Sequence, residues 1–354
     1  MNIRDIIKPI DYGFYFPAEW VQHEATWLSY PHNENSWPGK IQTIFPYYNE
    51  FIKQLAKDEK VHINVLNQDM QLKVEQDLYK IGADMSKIHF HLFETNDAWI
   101  RDHGPAFVIN DKQDKAIVNW KYNAWGGKYP HDKDNLIPRH IAQYLNLKEF
   151  IADIVMEGGS VDFNGRGDVI TTEACLLNEN RNPELNKGEI EQYLHDYYGV
   201  NNILWLKDGV EGDDTDGHID DLTRFVDEDT LITMVSEDRN SEDYNILNEN
   251  LNLLKKTRLS NGKQPNIVEI LMPQAVIYEE QKLPASYANF YIANKKVIIP
   301  TYKCKNDDKA IQVFEQIFKD REIIGIDSTD IVWGLGSFHC LSQQEPKIFS
   351  NFAE

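Results

Sequence analysis

Cysteine is scarce in this sequence. The 354 residues include three, Cys175, Cys304 and Cys340, and these lie far apart in the chain. That number and spacing exclude a disulfide-stabilised scaffold and a zinc ribbon, because both need several closely spaced cysteines. We therefore expect reduced thiols, any of which is chemically able to act as a nucleophile once deprotonated.

Long apolar runs and positive charges are also in short supply. No apolar run approaches the roughly 18 residues that a membrane span needs, and the N-terminus carries charges and a proline where a signal peptide is apolar. Lysine and arginine total 36 against 57 acidic residues, a formal net charge of −21. This balance disfavours nucleic acids and anionic membranes as partners, and we expect a cytoplasmic protein that attracts cations.

What the sequence does contain is a repeated order of predicted elements. Two short strands, a helix-period segment and a further strand recur along the chain, as in FVDEDTLITMV followed by SEDYNILNENLNLLKKTR and PNIVEILMP. Nearer the start, IQTIFPYYNEFIKQLAKD predicts a helix despite Pro46. An alternation of this kind predicts an α/β fold.

One polar or reactive residue precedes each predicted hairpin. These residues are 51 to 71 positions apart, a range in which weak repeats are informative, and they are Asp102, Glu157, His218, Asn289 and Cys340. They would meet if the modules surround one axis. The final FHCLSQQ would then pair with ATWLSYP near the start and close the ring, which removes open sheet edges. We predict one closed domain over residues 1–354, with an ordinary mixed α/β fold as the alternative.

The acid-rich stretch EGDDTDGHIDDLTR, residues 211–224, allows three interpretations. It could bind a divalent cation, form a solvated acidic turn, or supply acid/base groups through His218 and Asp220. If the two residues lie in a strand at the mouth of the following hairpin, their side chains point to the same face, because they are two positions apart.

Cys340 is the best candidate for a reactive thiol. It follows GLGSFH, whose glycines allow a close approach of the backbone and whose His339 could favour the thiolate. Cys175 lies in the apolar alternation TTEACLL and is expected in the core, while Cys304 lies in the polar segment YKCKNDD.

A cavity containing Cys340, His218, Asp102, Glu157 and Asp220 would hold a thiol, an imidazole and three carboxylates. Unpaired carboxylates in one buried site repel each other, so their excess implies a cationic ligand. A guanidinium fits best, because it stays charged and pairs with two carboxylates through parallel hydrogen bonds.

Five ordered motifs resemble the agmatine deiminases, which belong to the guanidino-group-modifying or pentein superfamily and are related to bacterial peptidylarginine deiminases. The motifs span nearly the whole chain: W-x-R-D-x-G-P from Trp99, E-G-G-S from Glu157, G-H-x-D from Gly217, A-S-Y-x-N-F-Y from Ala285 and H-C-x-x-Q-Q from His339. The resemblance implies a five-module α/β propeller with pseudo-fivefold ββαβ repeats around a central active site.

The resemblance also implies the chemistry and the residues that perform it. Agmatine and water would become N-carbamoylputrescine and ammonia, a step toward putrescine, through an amidino-cysteine intermediate and without a metal or organic cofactor. Cys340 would be the nucleophile, His218 the general acid and base, and Glu157 the group that orients His218. Substrate contacts would come from two acidic residues that grip the guanidinium and from residues that line the pocket, namely Asp102, Asp220, Trp99, Trp125 and Asn289. We also expect a homo-oligomer, a dimer or a tetramer.

Several alternatives stay open from the sequence. Free or peptidyl arginine would use the same mechanism; a basic residue such as Lys128 at the far end of the pocket would favour arginine, whereas Trp99, Trp125, Tyr129 and the acidic excess favour agmatine. A metal-dependent hydrolase using residues 211–221 and a non-catalytic binding domain are the rivals from other classes. Leu335 interrupts a glycine run that is usual in the family, so it affects the shape of the pocket wall.

Overall fold

Five small sheets form the fold in the computed structural model, which describes residues 7–349, and four of them are built from the same order of elements. The first sheet contains two parallel strands after its opening strand. Its elements are β1 (His23–Ser29), α1 (Ile41–Leu55), β2 (Lys60–Asn64), α2 (Gln68–Lys80) and β3 (Ile88–His91). The helix predicted through Pro46 is confirmed as α1, whose apolar residues recur every three or four positions and are buried.

The second and third modules follow in chain order. The second contains α3 (Ile100–His103), β4 (Ala106–Ile109), β5 (Lys115–Lys121), α4 (Ala124–Gly127), α5 (Ile137–Leu145) and β6 (Lys148–Val155). The third contains β7 (Val161–Phe163), β8 (Asp168–Thr172), α6 (Glu173–Leu176), α7 (Lys187–Tyr198) and β9 (Asn202–Leu206). Helix α5 and strand β6 were not predicted from the sequence. The alternation TTEACLL is typical of a strand, whereas Cys175 lies in the short helix α6, where it is buried as expected.

The last two modules repeat the pattern. The fourth contains β10 (Thr223–Phe225), β11 (Thr230–Val235), α8 (Asp243–Leu254) and β12 (Asn266–Leu271). A small hairpin, β13 (Ile277–Tyr278) and β14 (Gln281–Lys282), separates it from the fifth, which contains β15 (Tyr291–Ile292), β16 (Lys296–Thr301), α9 (Asp307–Ile317) and β17 (Glu322–Asp327). The final strand is β18 (Gln343–Pro346).

Strand pairing confirms the predicted repeat. In modules two to five the first two strands are antiparallel, and the third, which follows the helix, is parallel to the second. The ring closes where β18 pairs with β1 in antiparallel register, with Gln344 opposite Thr26 and Gln343 opposite Trp27. The predicted contact between the two ends of the chain is therefore correct, and it completes the first sheet.

Four of the five residues that were predicted to open the modules lie in or beside single helical turns, and the fifth, Cys340, lies in a non-helical turn. The helical turns precede the hairpins, and they are Ile100–His103, Gly158–Ser160, Ile219–Asp221 and Tyr287–Asn289. The expectation that His218 and Asp220 share the face of a strand is wrong, because Asp220 lies in a 3₁₀ turn that begins after His218. Within the described range 7–349, no helix is both long and apolar enough to cross a bilayer.

Candidate active site

The loop that carries Cys340 is held by the side chain of Asn289. Its Oδ1 accepts hydrogen bonds from the backbone N–H groups of Ser337 and His339 at 3.1 Å and of Cys340 at 3.2 Å. Its Nδ2 donates to the sulfur of Cys340 at 3.0 Å. One amide therefore fixes both the turn and the thiol, which limits the positions that the sulfur can adopt.

Two carboxylates lie beside this thiol. The Oδ2 atom of Asp220 is 3.4 Å from the sulfur of Cys340. Asp102 accepts a hydrogen bond from the N–H of Gly159 at 2.9 Å through Oδ1, and one from the indole N–H of Trp125 at 3.0 Å through Oδ2. Both carboxylates are buried, so their charges interact in a region of low dielectric constant.

His218 lies within 4.0 Å of three carboxylates of the cluster. Its Nδ1 is 3.8 Å from Asp102 Oδ1 and 3.9 Å from Asp220 Oδ1, and its Nε2 is 4.0 Å from Glu157 Oε2. Neither ring nitrogen has a hydrogen-bond partner among residues 7–349, although the side chain is fully buried. A buried polar group without a partner costs free energy, so its presence here is typical of a functional site.

Close approach of these groups depends on Gly159. A Cβ atom at this position would lie 2.6 Å from His218 Nδ1 and 2.8 Å from Asp102 Oδ1. Any side chain at residue 159 would therefore separate the imidazole from the carboxylate. This is the physical reason for a glycine in the E-G-G-S motif.

The cluster shifts the pKa values of its members in opposite directions. Burial, followed by the charges of Asp220 and Glu157, raises the pKa of Asp102 well above its usual range. Burial and the neighbouring carboxylates raise the pKa of the Cys340 thiol well above its usual range, while burial lowers the pKa of His218 to about 3. These directions favour a protonated thiol and a neutral imidazole. A cation in the site would favour the thiolate and keep the imidazole neutral.

Arg181 is a buried residue of the site that the sequence did not predict. Its Nε donates to Glu157 Oε1 at 2.6 Å, and its Nη1 donates to Asp216 at 2.7 Å. Burial raises the pKa of Glu157, and the charge of Arg181 opposes that rise. Cys175 contacts the other oxygen of Glu157, at 4.0 Å, so this thiol lies against the site and not only in the core. Arg181 lies in the polar segment NENRNPE, which gives no sequence signal of burial.

A cavity of about 200 Å³ leads to the thiol. Trp99 and Trp125 line it together with Asp102 and Cys340, and Trp99 stacks on Trp37 at a centroid distance of 5.1 Å. The lining also includes residues that are more exposed than Asp102 and Cys340, namely the acidic Asp97 and Asp214 together with Tyr129 and Leu335. Lys128 is not among the lining residues; its Nζ faces the carboxylates of Asp214 at 3.4 Å and Asp216 at 3.2 Å.

Leu335 forms part of the cavity wall with a left-handed backbone, at a φ of 71°. A leucine in this conformation is strained, because its Cβ approaches the following carbonyl oxygen. The departure from the usual glycine run therefore changes both the wall and the local backbone energy.

A larger groove of about 630 Å³ beside Asp243 and Lys282 contains neither a cysteine nor a histidine.

The acid-rich stretch does not converge on one cation site. Asp213 accepts hydrogen bonds from Thr215 and from the backbone N–H groups of Gly217 and His218, and Asp221 accepts one from Asn289. Asp214 accepts from Tyr129, and Asp216 pairs with Arg181. Most of these carboxylates thus stabilise the loop itself, and Asp220 is the member that reaches the thiol.

Two expectations about the cysteine region change. The ring of His339 does not contact the sulfur; its Nδ1 lies 2.6 Å from Asp220 Oδ2 and its Nε2 lies 2.9 Å from Glu19 Oε2. Cys304 is half-buried and contacts Tyr287 and Asp307, away from the cavity. The other predicted residues, including Asn289, Trp99 and Trp125, lie together as described.

Comparison with known proteins identifies the family of this chain. Residues 15–346 match the model of the Porphyromonas-type peptidyl-arginine deiminases. The chain belongs to this family. A putative agmatine deiminase of Legionella pneumophila is 36% identical over 342 residues, which is 96% of this chain and 97% of that protein. A putative agmatine deiminase of Enterococcus faecalis is 33% identical, with 95% and 96% of the two chains covered.

Solved structures of the family have the same fold. Agmatine deiminase of Enterococcus faecalis superposes with a TM-score of 0.90 at 32% identity, covering 96% of this chain and 98% of the other. A C. jejuni agmatine deiminase with substrate bound gives 0.87 at 34% identity, with 95% and 97% covered. The peptidyl-arginine deiminase family thus shares the five-module α/β architecture. An amidinotransferase from Microseira wollei, at 14% identity and a TM-score of 0.54, has a similar fold.

Proposed function

We propose that this protein is an agmatine deiminase, which converts agmatine and water into N-carbamoylputrescine and ammonia. The observation that carries the proposal is the cavity itself: the Cys340 thiol in its wall lies beside two buried carboxylates, and two further acidic residues that are more exposed, Asp97 and Asp214, also line it. The family relatives and solved structures named agmatine deiminases support the same activity.

Charge matching favours agmatine over arginine as the substrate. The residues that line the cavity include Asp97 and Asp214 and contain no lysine or arginine. Agmatine ends in an amine that is cationic at neutral pH, whereas free arginine carries a carboxylate that would face these acids without a cationic partner. Lys128 is held by Asp214 and Asp216, so it does not supply that partner.

The guanidinium is placed between Asp102 and Asp220 in the proposed complex. Asp220 Oδ1 has no hydrogen-bond partner within the described chain and can accept one from the substrate. A cation at this point stabilises the Cys340 thiolate, because it offsets the carboxylates that raise the pKa of the thiol. Binding therefore activates the nucleophile where the substrate already lies.

The covalent step follows from these positions. The sulfur of Cys340 attacks the guanidinium carbon, and neutral His218 takes the thiol proton and passes it to the departing ammonia. A C–S bond forms and a C–N bond breaks, which leaves an amidino-cysteine. His218 then removes a proton from water, the resulting hydroxide forms a C–O bond with the amidino carbon, and the C–S bond breaks. The remaining hydroxyl proton leaves to solvent, where it balances the ammonia as ammonium, and the proton on His218 returns to the thiolate. Glu157, 4.0 Å from His218 Nε2, stabilises the imidazolium that forms in each half-reaction.

The wider setting is part of the same proposal. We assign the protein to putrescine biosynthesis in the cytoplasm, with residues 1–354 as one catalytic domain that forms a homo-oligomer. The family's named activity and the closure of the ring by β1 and β18 support the pathway and the single domain. Size-exclusion chromatography with light scattering measures the oligomeric state.

Ammonia release tests the activity. The purified protein is assayed with agmatine, free arginine and a blocked arginine peptide, each with and without EDTA. We expect turnover of agmatine that EDTA does not change and little turnover of the other two. Rapid quenching followed by mass spectrometry should find the amidino adduct on the peptide that contains Cys340. Turnover that EDTA abolishes while Cys340→Ala stays active would support a metal-dependent hydrolase instead.

A further inference from the structure

His339 lies between two buried carboxylates, one in the site and one behind it. The ring nitrogens are 2.6 Å from Asp220 Oδ2 and 2.9 Å from Glu19 Oε2. All three side chains are at most 6% exposed. A carboxylate that is ionised can only accept hydrogen bonds, so whichever ring nitrogen carries a proton donates to the carboxylate beside it. The ring is therefore a rigid link from Glu19 to the carboxylate that contacts the thiol.

Glu19 is itself fixed in place by groups that never reach the cavity. Its Oε2 accepts from Arg224 Nη2 at 2.7 Å, and its Oε1 accepts from the backbone N–H of Ile292 at 2.7 Å. Arg224 also donates to Asp162 at 2.5 Å through Nε and to the carbonyl of Phe290 at 3.1 Å. We call Glu19, Asp162, Arg224 and His339 the rear network.

We propose that Glu19 is a positioning residue for the deiminase reaction: through His339 it holds Oδ2 of Asp220 and so leaves Oδ1 oriented for the guanidinium. This inference rests on the proposed function. Glu19 touches neither the thiol nor the cavity that leads to it. Its effect on Asp220 passes through the two hydrogen bonds of one imidazole ring, whereas its ion pair with Arg101 Nη2, at 3.6 Å, leads to the backbone of the cysteine loop, where Arg101 Nε donates to the carbonyl of His339.

The electrostatic directions agree with this geometry. Burial by itself would raise the pKa of Asp220, but the hydrogen bond and charge of His339 outweigh it, so the pKa lies below its usual range. Asp102, which lacks such a partner, has a raised pKa. The pair of carboxylates thus offers one firm anion and one that a cation must help to ionise.

A matched control exists elsewhere in the same chain. Glu59 is also a buried glutamate near a histidine, with its Oε1 3.4 Å from Nδ1 of His23, and its Oε2 accepts from the backbone N–H of Asn294. Neither Glu59 nor His23 forms a hydrogen bond or an ion pair with Asp102 or Asp220 among the described residues. Glu59→Gln therefore reproduces the loss of a buried charge, and within the described chain its only connection to Glu19 is the bond of His23 Nε2 to the Glu19 backbone carbonyl at 2.7 Å, which leaves the Glu19 carboxylate in place.

Steady-state kinetics of Glu19→Gln and Glu59→Gln form the first test. We expect kcat/KM for agmatine to fall about 10- to 100-fold in Glu19→Gln, mainly through KM, because a misplaced second carboxylate weakens the grip on the cation. The kcat/KM of Glu59→Gln should stay within about twofold of the wild-type value, even if its Tm falls as much as the Tm of Glu19→Gln does. Equal kinetic losses in the two variants would mean that Glu19 has only a structural role.

Alkylation separates charge recognition from reactivity of the thiol. Chloroacetamidine carries an amidinium that resembles the guanidinium, whereas iodoacetamide is neutral. Glu19→Gln should slow inactivation by chloroacetamidine more than inactivation by iodoacetamide, and Glu59→Gln should leave the ratio of the two rates unchanged. An unchanged ratio in Glu19→Gln overturns the inference.

A double-mutant cycle covers the case in which Glu19→Gln folds poorly. His339→Asn keeps a donor near the position of Nδ1, toward Asp220, and removes the link to Glu19. Adding Glu19→Gln to His339→Asn should cause no further loss of kcat/KM, because both changes break one link. Multiplied losses would show that Glu19 acts by another route. If the wild type releases no ammonia from agmatine, the proposed function fails; if it does and the variants match it, this inference alone fails.

Discussion

On the cavity side of His339, no lysine or arginine within residues 7–349 forms an ion pair with Asp102 or Asp220, whereas on its other side Glu19 and Asp162 both bond to Arg224. We call Asp102, His218, Asp220 and Cys340 the front cluster. The front cluster contains unpartnered polar atoms, and the rear network meets its carboxylates with a guanidinium. Charges left without a cation prepare a site for a ligand, while charges that are paired hold the structure.

Removing the nucleophile of the front cluster should give the largest loss of activity, with little loss of stability. Cys340→Ala is expected to abolish ammonia release from agmatine, because no other thiol lines the cavity. Its Tm should stay close to that of the wild type, since the front cluster loses only a small side chain. Cys304→Ser is the control and should keep full activity. Turnover by Cys340→Ala would eliminate the covalent mechanism.

Neutralising either carboxylate of the front cluster should give the next largest loss. Asp102→Asn and Asp220→Asn are each expected to lower kcat/KM for agmatine by about 10²- to 10³-fold, because each removes half of the charge that holds the cation. Asp214→Asn, at a half-buried lining residue of the cavity, should lower kcat/KM less than the other two changes and act mainly on KM. Kinetic constants for the three variants decide the order.

The rear network should respond in stability rather than in chemistry alone. Arg224→Met leaves Glu19 and Asp162 buried without their cation, and we expect the free energy of unfolding to fall by about 3–5 kcal/mol. Urea denaturation monitored by tryptophan fluorescence measures the change. Arg166→Met, at an exposed pair with Glu228, is the matched control and should leave the free energy of unfolding close to that of the wild type, because solvent screens that pair.

The pH dependence of stability should distinguish the two regions. The pKa of Asp102 is raised from 3.8 in the folded state, so folding takes up a proton there, and stability falls as the pH rises through the folded-state pKa. The pKa of Glu19 is lowered, so its contribution is present above about pH 4.5 and is lost as the pH falls. Asp102→Asn should therefore flatten the decline toward high pH, and Glu19→Gln the decline toward low pH, in unfolding curves measured across pH.

The smallest effect is expected at the wall of the cavity. Leu335→Gly relieves a strained backbone but loses packing and gains freedom in the unfolded chain, so the free energy of unfolding should change by less than about 1 kcal/mol. Loss of apolar contact should raise KM for agmatine by less than about tenfold with kcat unchanged. Leu335→Ala, which keeps the strain, isolates the contact contribution. A large fall in kcat would show that the leucine also shapes the reacting geometry.

The sequence predicted the features that depend on local pattern. The order of hairpin, helix and strand, and the pairing of the two chain ends, could be inferred because apolar alternation and helical spacing extend over many residues. Helix α5 was not predicted because its segment is short and contains a proline near its start. The convergence of His218 and Asp220 was predicted correctly but for the wrong local reason, since a 3₁₀ turn brings them together.

Features that depend on distant partners could not be predicted. Glu19 and Arg224 are 205 positions apart, and Arg181 meets Glu157 from a segment rich in polar residues. A charged residue is normally exposed, so nothing in its own neighbourhood announces that it is buried against another charge. Motifs located the front cluster, and only the folded chain reveals the rear network.

Closure of the ring by β18 also has a consequence for biosynthesis. Cys340 lies just before the strand that must pair with β1, so a ribosome has to release residues 23 to 346 before the sulfur and the seam are both in place. A product that terminates before residue 340 would lack the reactive thiol, its loop and the seam at once. The nucleophile and the closure of the ring are therefore gained together during synthesis.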